Sequence, residues 1–136
     1  MAESKYGKYI LREPYRDSTA TMVKLSGDKD FGGLPFTLAY HSYSEPDFPE
    51  KEPMAHEFDQ YLFFLSGNPK NLREFGAEID LSFGKEGEKH LINSPSIVYL
   101  PKGLVHGPLN YRKVDKTFVL INLYFTPTYS KKTASP

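Results

Sequence analysis

A chain of 136 residues fits one domain, and a domain of this size buries roughly 70% of its unfolded surface, enough for one core without staples. Seventeen basic residues balance seventeen acidic ones, so no overall field draws in nucleic acid or an anionic membrane, and the lack of cysteine excludes disulfides, thiolate ligands and a cysteine nucleophile. Ten Tyr, ten Phe, eleven Pro and ten Gly favour short strands joined by tight turns, so an all-β fold is expected.

The opening MAESKYGKYILREPYRD has no apolar run of signal-peptide length, and no stretch is long and apolar enough to span a bilayer. A soluble cytoplasmic protein is expected. Residues 1–18 read as an N-terminal arm with one short strand, KYILRE, lying along another surface. Residues 19–126 read as the β domain and 127–136 as a C-terminal tail. A strand is expected over residues 19–25, and the glycines around residues 27–33 then turn the chain into the aromatic strand PFTLAYHSYS. EPDFPEKEP carries Pro46, Pro49 and Pro53 and reads as an extended loop, because proline donates nothing to a sheet ladder.

From Met54 onward the period is close to two. GAEIDLSF alternates Ala77, Ile79, Leu81 and Phe83 with Glu78, Asp80 and Ser82, as a strand with one wet face does. GKEG reads as a hairpin connection into EKHLI, SIVYL as a strand ended by Pro101 and Gly103, and KTFVLINLYF as a long final strand. NPKNLREFG holds the one weak helical turn. Many short strands in so short a chain suggest a sandwich or small barrel.

Two stretches carry chemistry. If MAHEFDQYLFFL is one strand, Met54, His56, Phe58, Gln60, Leu62 and Phe64 share a face. In PKGLVHGPLN, a turn at Pro101 and Gly103 delivers His106, with Asn110 four residues on. Histidines on separate strands of a small barrel meet in its interior.

At these residues the sequence resembles the cupin superfamily. Pro101, Gly103, His106 and Asn110 match its second motif, with Pro95 where a leading glycine is usual; His56 and Gly67 match the second histidine and closing glycine of the first. The resemblance covers roughly residues 35–126. It implies a double-stranded β-helix, a jelly-roll barrel, in a homodimer. Typical members hold a divalent metal through three histidines and a glutamate, whereas this chain has Met54 at the first histidine position and Gln60 at the glutamate position.

The expected metal ligands are therefore His56, Gln60 and His106, with His41 or Met54 as an additional ligand or pocket residue and Phe58, Leu62 and Asn110 lining the pocket. Two imidazoles and an amide lack an anionic ligand, which weakens their hold on a cation. The ion would be Fe, Mn, Ni, Cu or Zn. No carboxylate base stands out, so the catalytic group is unassigned between His41 and a tyrosine such as Tyr99, Tyr111 or Tyr124. Glu57, Asp59 and Lys102 are expected on solvated surface. Two functions are open. One is a metal-dependent enzyme of oxygenase, isomerase or decarboxylase type acting on a small oxygenated substrate. The other is a metal-free ligand-binding or dimeric structural module.

Overall fold

The computed structural model of the chain describes residues 4–127 and the backbone of 132–133. The expected 127–136 tail thus falls almost wholly outside the described residues. The strands in chain order are β1 (Met22–Ser26), β2 (Thr37–Tyr43), β3 (Asp47–Glu50), β4 (Met54–Ala55), β5 (Gln60–Ser66), β6 (Ala77–Phe83), β7 (Glu88–Ile92), β8 (Ser96–Leu100), β9 (His106–Val114), β10 (Phe118–Tyr124) and β11 (Lys132–Thr133). A five-stranded sheet in the order β1-β2-β10-β5-β8 packs against a six-stranded one containing β11-β4-β9-β6-β7, with β3 also paired to β9. All these pairings are antiparallel. Among the described residues no helix is long and apolar enough to cross a membrane.

Alternation positions the strands as the sequence implies. In β5, Gln60, Leu62, Phe64 and Ser66 point inward and are buried, and in β10 Phe118, Leu120, Asn122 and Tyr124 do the same. Their partners across the sandwich are Ala77, Ile79 and Leu81 of β6 and Leu109 and Tyr111 of β9. Phe64, Ile79 and Phe118 are wholly inaccessible, and the rings of Tyr111 and Phe118 meet edge to face at 5.2 Å. GKEG is the hairpin connection between β6 and β7; Gly84 and Gly87 adopt φ of 75° and 66°, which only glycine enters without strain.

Four expectations give way. KYILRE forms no strand: residues 7–9 make one 3-10 turn, and among the described residues the arm's ladder contact is a bridge from Tyr15 to Val23. The proline-rich EPDFPEKEP yields β3, because Pro49 sits at an edge where no ladder bond is asked of it. NPKNLREFG is a pair of backbone turns closed by Asn71 N–H to Asn68 C=O and Glu74 N–H to Asn71 C=O. Most consequential, MAHEFDQYLFFL is two strands: β4 belongs to the six-stranded sheet and β5 to the five-stranded one, and residues 56–59 turn the corner between them.

Candidate functional site

The corner at residues 56–59 and the turn at 101–104 lie against each other; two hydrogen bonds join them and a third ties the corner to the end of β8. Gly103 N–H donates to the His56 carbonyl at 2.9 Å, and Asp59 Oδ1 accepts from Lys102 N–H at 2.9 Å and from the Tyr99 hydroxyl at 3.1 Å. Gly103 has φ 84°, a value the turn requires before His106 opens β9. One histidine is thus presented by the corner and the other by the strand that the adjoining turn launches. Asp59, expected to be a solvated acid, is the residue that fastens the two segments.

The imidazoles of His56 and His106 face one another at 5.0 Å between centroids, tilted by 53°, and both are buried. Phe58 stacks flat on His56 at 4.9 Å and fixes its plane. Gln60 enters from β5, and its Nε2 donates to Asn122 Oδ1 of the neighbouring β10 at 3.3 Å. That bond uses one of the amide's two N–H donors and leaves Oε1 to the cavity. Gln60 Oε1 and His106 Nε2 are buried with no hydrogen-bond partner among the described residues. Unsatisfied buried polar atoms cost about 1–3 kcal/mol each, so two of them at one place call for a function.

These side chains open on a cavity of about 340 Å³ between the sheets. His41, His56, Gln60, Leu62 and His106 line it as expected, while three predicted pocket residues do not. Met54 is buried directly across the ladder from His106 yet stays off the cavity wall, packing as an apolar filler. Phe58 lies behind His56. Asn110 pairs with Asp80 on the wet side of the six-stranded sheet. The reason is a register shift: Leu81 pairs with Leu109 but Phe83 with His106, so β9 holds an extra residue there. This bulge lets His106, Leu109 and Tyr111 all point inward, and it turns Asn110 out.

Residues that the sequence reading passed over complete the wall: Lys24, Tyr43, Glu50 and Asn122. Asn122 was legible as the one polar residue at inward parity in VLINLYF; Lys24, Tyr43 and Glu50 depend on pairings that no local pattern encodes. Tyr43 stacks on His41 at 5.7 Å and meets Tyr111 at 4.8 Å, and the two phenols are hydrogen-bonded. Tyr111 and Tyr124 of the tyrosines considered line the cavity, whereas Tyr99 lies on the outside of β5 and β8. His90 is on the surface beside Glu88 at 2.6 Å.

Burial sets the electrostatics. It pushes His106 from 6.5 down to about 4, helped by the charge His56 would carry, so His106 is neutral at pH 7. Burial also lowers His41, partly opposed by Asp17, and raises the phenols of Tyr43 and Tyr111. A neutral His106 imidazole and an amide oxygen turned to the cavity are the forms in which these groups coordinate a divalent transition ion. Among the described residues no three His, Cys, Asp or Glu side chains converge, so the set fits such an ion with neutral donors alone. That predicts weak retention.

No family model matches the sequence, and neither does any curated protein. Solved structures do. Oxalate decarboxylase from Bacillus subtilis superposes with a TM-score of 0.55 at 9% identity, over 82% of this chain and 27% of that one. An oxalate oxidase in complex with glycolate gives 0.55 at 10% identity, over 82% of this chain and 53% of that one. The chain therefore spans between about a quarter and about half of these neighbours' lengths, and the Bacillus subtilis enzyme is one with Mn(II) centres. Two antiparallel sheets closing on a shared interior, with the histidines at one end and these neighbours in shape, give the chain the cupin-type fold, a double-stranded β-helix.

Proposed function

We propose that the barrel interior binds a small oxygen-bearing organic molecule together with a divalent cation held by His56, Gln60 and His106, and that the protein works as a homodimer. The observation that carries the binding reading is the pair of partnerless buried atoms, Gln60 Oε1 and His106 Nε2, at one cavity. When bound, such a cation supplies Lewis acidity to a substrate oxygen.

The chain's own residues do the rest. Asn122 orients the Gln60 amide, and Phe58 holds the His56 ring. Leu62, Leu81, Leu109 and Leu120 line the cavity and limit water. His41 and Tyr43 are two of the titratable groups on the cavity wall, and neutral His41 is able to accept a proton there. Lys24 and Glu50, from opposite sheets, supply one charge of each sign for a polar substrate.

Among the described residues no carboxylate joins the two imidazoles, which supports a second reading, in which the same polar atoms bind an organic ligand with no ion. Equilibrium dialysis of untagged protein against Zn²⁺, Ni²⁺ or Mn²⁺ separates the two. The first reading expects one ion per chain, lost in His106→Ala and held at least about tenfold more tightly in Gln60→Glu, since one anionic ligand adds more than a kcal/mol of attraction. No binding by either wild type or Gln60→Glu overturns it and leaves the metal-free reading.

A further inference from the structure

The cavity carries one charge of each sign, and the ladders explain why both face it. Residues paired across two strands point to the same side of a sheet. Lys24 of β1 pairs with Ala39, which pairs in turn with Asn122, so Lys24 lies on the inward face that carries the polar site. Ala39 has only a methyl group, which leaves the space between Lys24 and Asn122 open to the ammonium. Glu50 of β3 pairs with Leu109, which is buried and inward, so Glu50 faces the cavity from the opposite sheet. Among the described residues that line the cavity, these are the only Lys, Arg, Asp or Glu.

An inward charge on an edge strand often serves to block pairing with another chain. Neither charge is needed for that here. The edge of β1 is already covered by the arm: Lys24 N–H donates to the Pro14 carbonyl at 3.1 Å, and Arg16 N–H to the Met22 carbonyl at 3.0 Å. The edge of β3 is blunted by Pro49, which has no N–H to offer.

The two charges divide the open side of the cavity. Met22, Lys24, His41, Tyr43, Pro49 and Glu50 are half-buried there, whereas the polar site behind them is buried. Burial does most to lower His41, and the charge of Lys24 adds to it; burial does most to raise the phenols of Tyr43 and Tyr111, and the charges of Asp47 and Glu50 add to it. The opening is thus positive along β1 and β2 and negative along β3.

Resting on the reading that this interior binds a small organic molecule, we propose that the molecule is a zwitterion of amino-acid type, its carboxylate on Lys24 and its ammonium on Glu50, with the rest of it reaching towards Gln60 and His106. A volume of about 340 Å³ has room for about ten non-hydrogen atoms. A dicarboxylate would meet the Glu50 carboxylate and a diamine the Lys24 ammonium, so the cavity selects by repulsion as well as by attraction.

Amide ¹H–¹⁵N shifts of the full chain, read at Ala39 and Leu109 beside the two charges, test this with three series of matched length. These are the ω-amino acids glycine, β-alanine and 4-aminobutyrate, the dicarboxylates oxalate, malonate and succinate, and the diamines of two to four carbons, each titrated without Zn²⁺ and at fixed free Zn²⁺. One ω-amino acid is expected to bind at least about tenfold more tightly than the dicarboxylate and the diamine of its own length. Lys24→Met and Glu50→Gln, at half-buried positions and checked for folding by the same spectra, are expected to shift that preference about tenfold in opposite directions. The first variant turns it towards the diamine and the second towards the dicarboxylate, which a merely structural role for these residues would not do. A wild type that takes a dicarboxylate or a diamine as tightly as the amino acid, or folded variants that keep its preference, overturns the zwitterion and leaves the cavity reading standing. If no probe moves either amide, with or without Zn²⁺, the cavity reading itself falls and the zwitterion falls with it.

Discussion

The interior of this barrel has two ends built by the same strands to opposite purposes. At one end β5 and β10 contribute Phe64 and Phe118, wholly inaccessible and packed on Ile79 and Tyr111. Four residues along the same inward faces, they contribute Gln60 and Asn122, which meet His56 and His106 around a cavity. Among the described residues, the first end leaves no buried side-chain nitrogen or oxygen without a partner. The second leaves two polar atoms without partners, and that local cost is affordable only because the other end is densely packed.

The comparison breaks most visibly at the packed end. Phe118→Ala removes a ring that touches Tyr43, Phe64, Phe75 and Tyr111. A loss of about 3–5 kcal/mol in urea-unfolding stability is expected, with the cavity residues untouched by chemistry. At the polar end, acid is the next largest lever. The folded-state value of His106 is about 4 against 6.5 for the ordinary side chain, so between these values the unfolded chain binds the extra proton. Stability of the metal-free protein is therefore constant above about pH 6.5 and falls as pH drops towards 4, by about 3 kcal/mol, with His41 acting in the same direction. Thermal melts across that range of pH measure it, and His106→Phe should flatten the slope.

Two smaller effects sharpen the contrast. Asp59→Ala cuts the bonds to Tyr99 and Lys102 N–H that tie the corner to the turn, and a loss of about 1 kcal/mol is expected with a severalfold drop in affinity for Zn²⁺. Gln60→Met removes a partnerless oxygen at the expense of the bond to Asn122, and a net gain of about 0.5 kcal/mol is expected while ion binding disappears. Asp59→Ala that weakens nothing would mean the corner is held by packing alone.

Much of the packed end was legible, because alternation in QYLFFLS and FVLINLY, and in GAEIDLSF as far as Leu81, survives into buried and half-buried positions. The polar end was legible in its residues and not in its path. His56 and Gln60 share the cavity, yet a corner brings them there rather than the parity of one strand. Nothing local announces that corner: residues 54–60 hold neither Gly nor Pro, and the change of sheet is imposed by β4 pairing with β9 and β5 with β10 and β8. The bulge that turns Asn110 outward is likewise a property of the β6–β9 ladder. Asn122 shows the opposite case, a polar residue at an inward parity that could have been flagged from sequence alone.

The histidines offer the most direct test of the site. The chain has four, two at the cavity's polar end, one on its wall and one on the surface. Titrating Zn²⁺ into metal-free protein and following the imidazole ¹⁵N resonances reports each ring separately. The account predicts that His56 and His106 shift together and saturate at one ion per chain, with His90 unmoved. Movement of His90 alone, or of no histidine in wild type and Gln60→Glu alike, would contradict it.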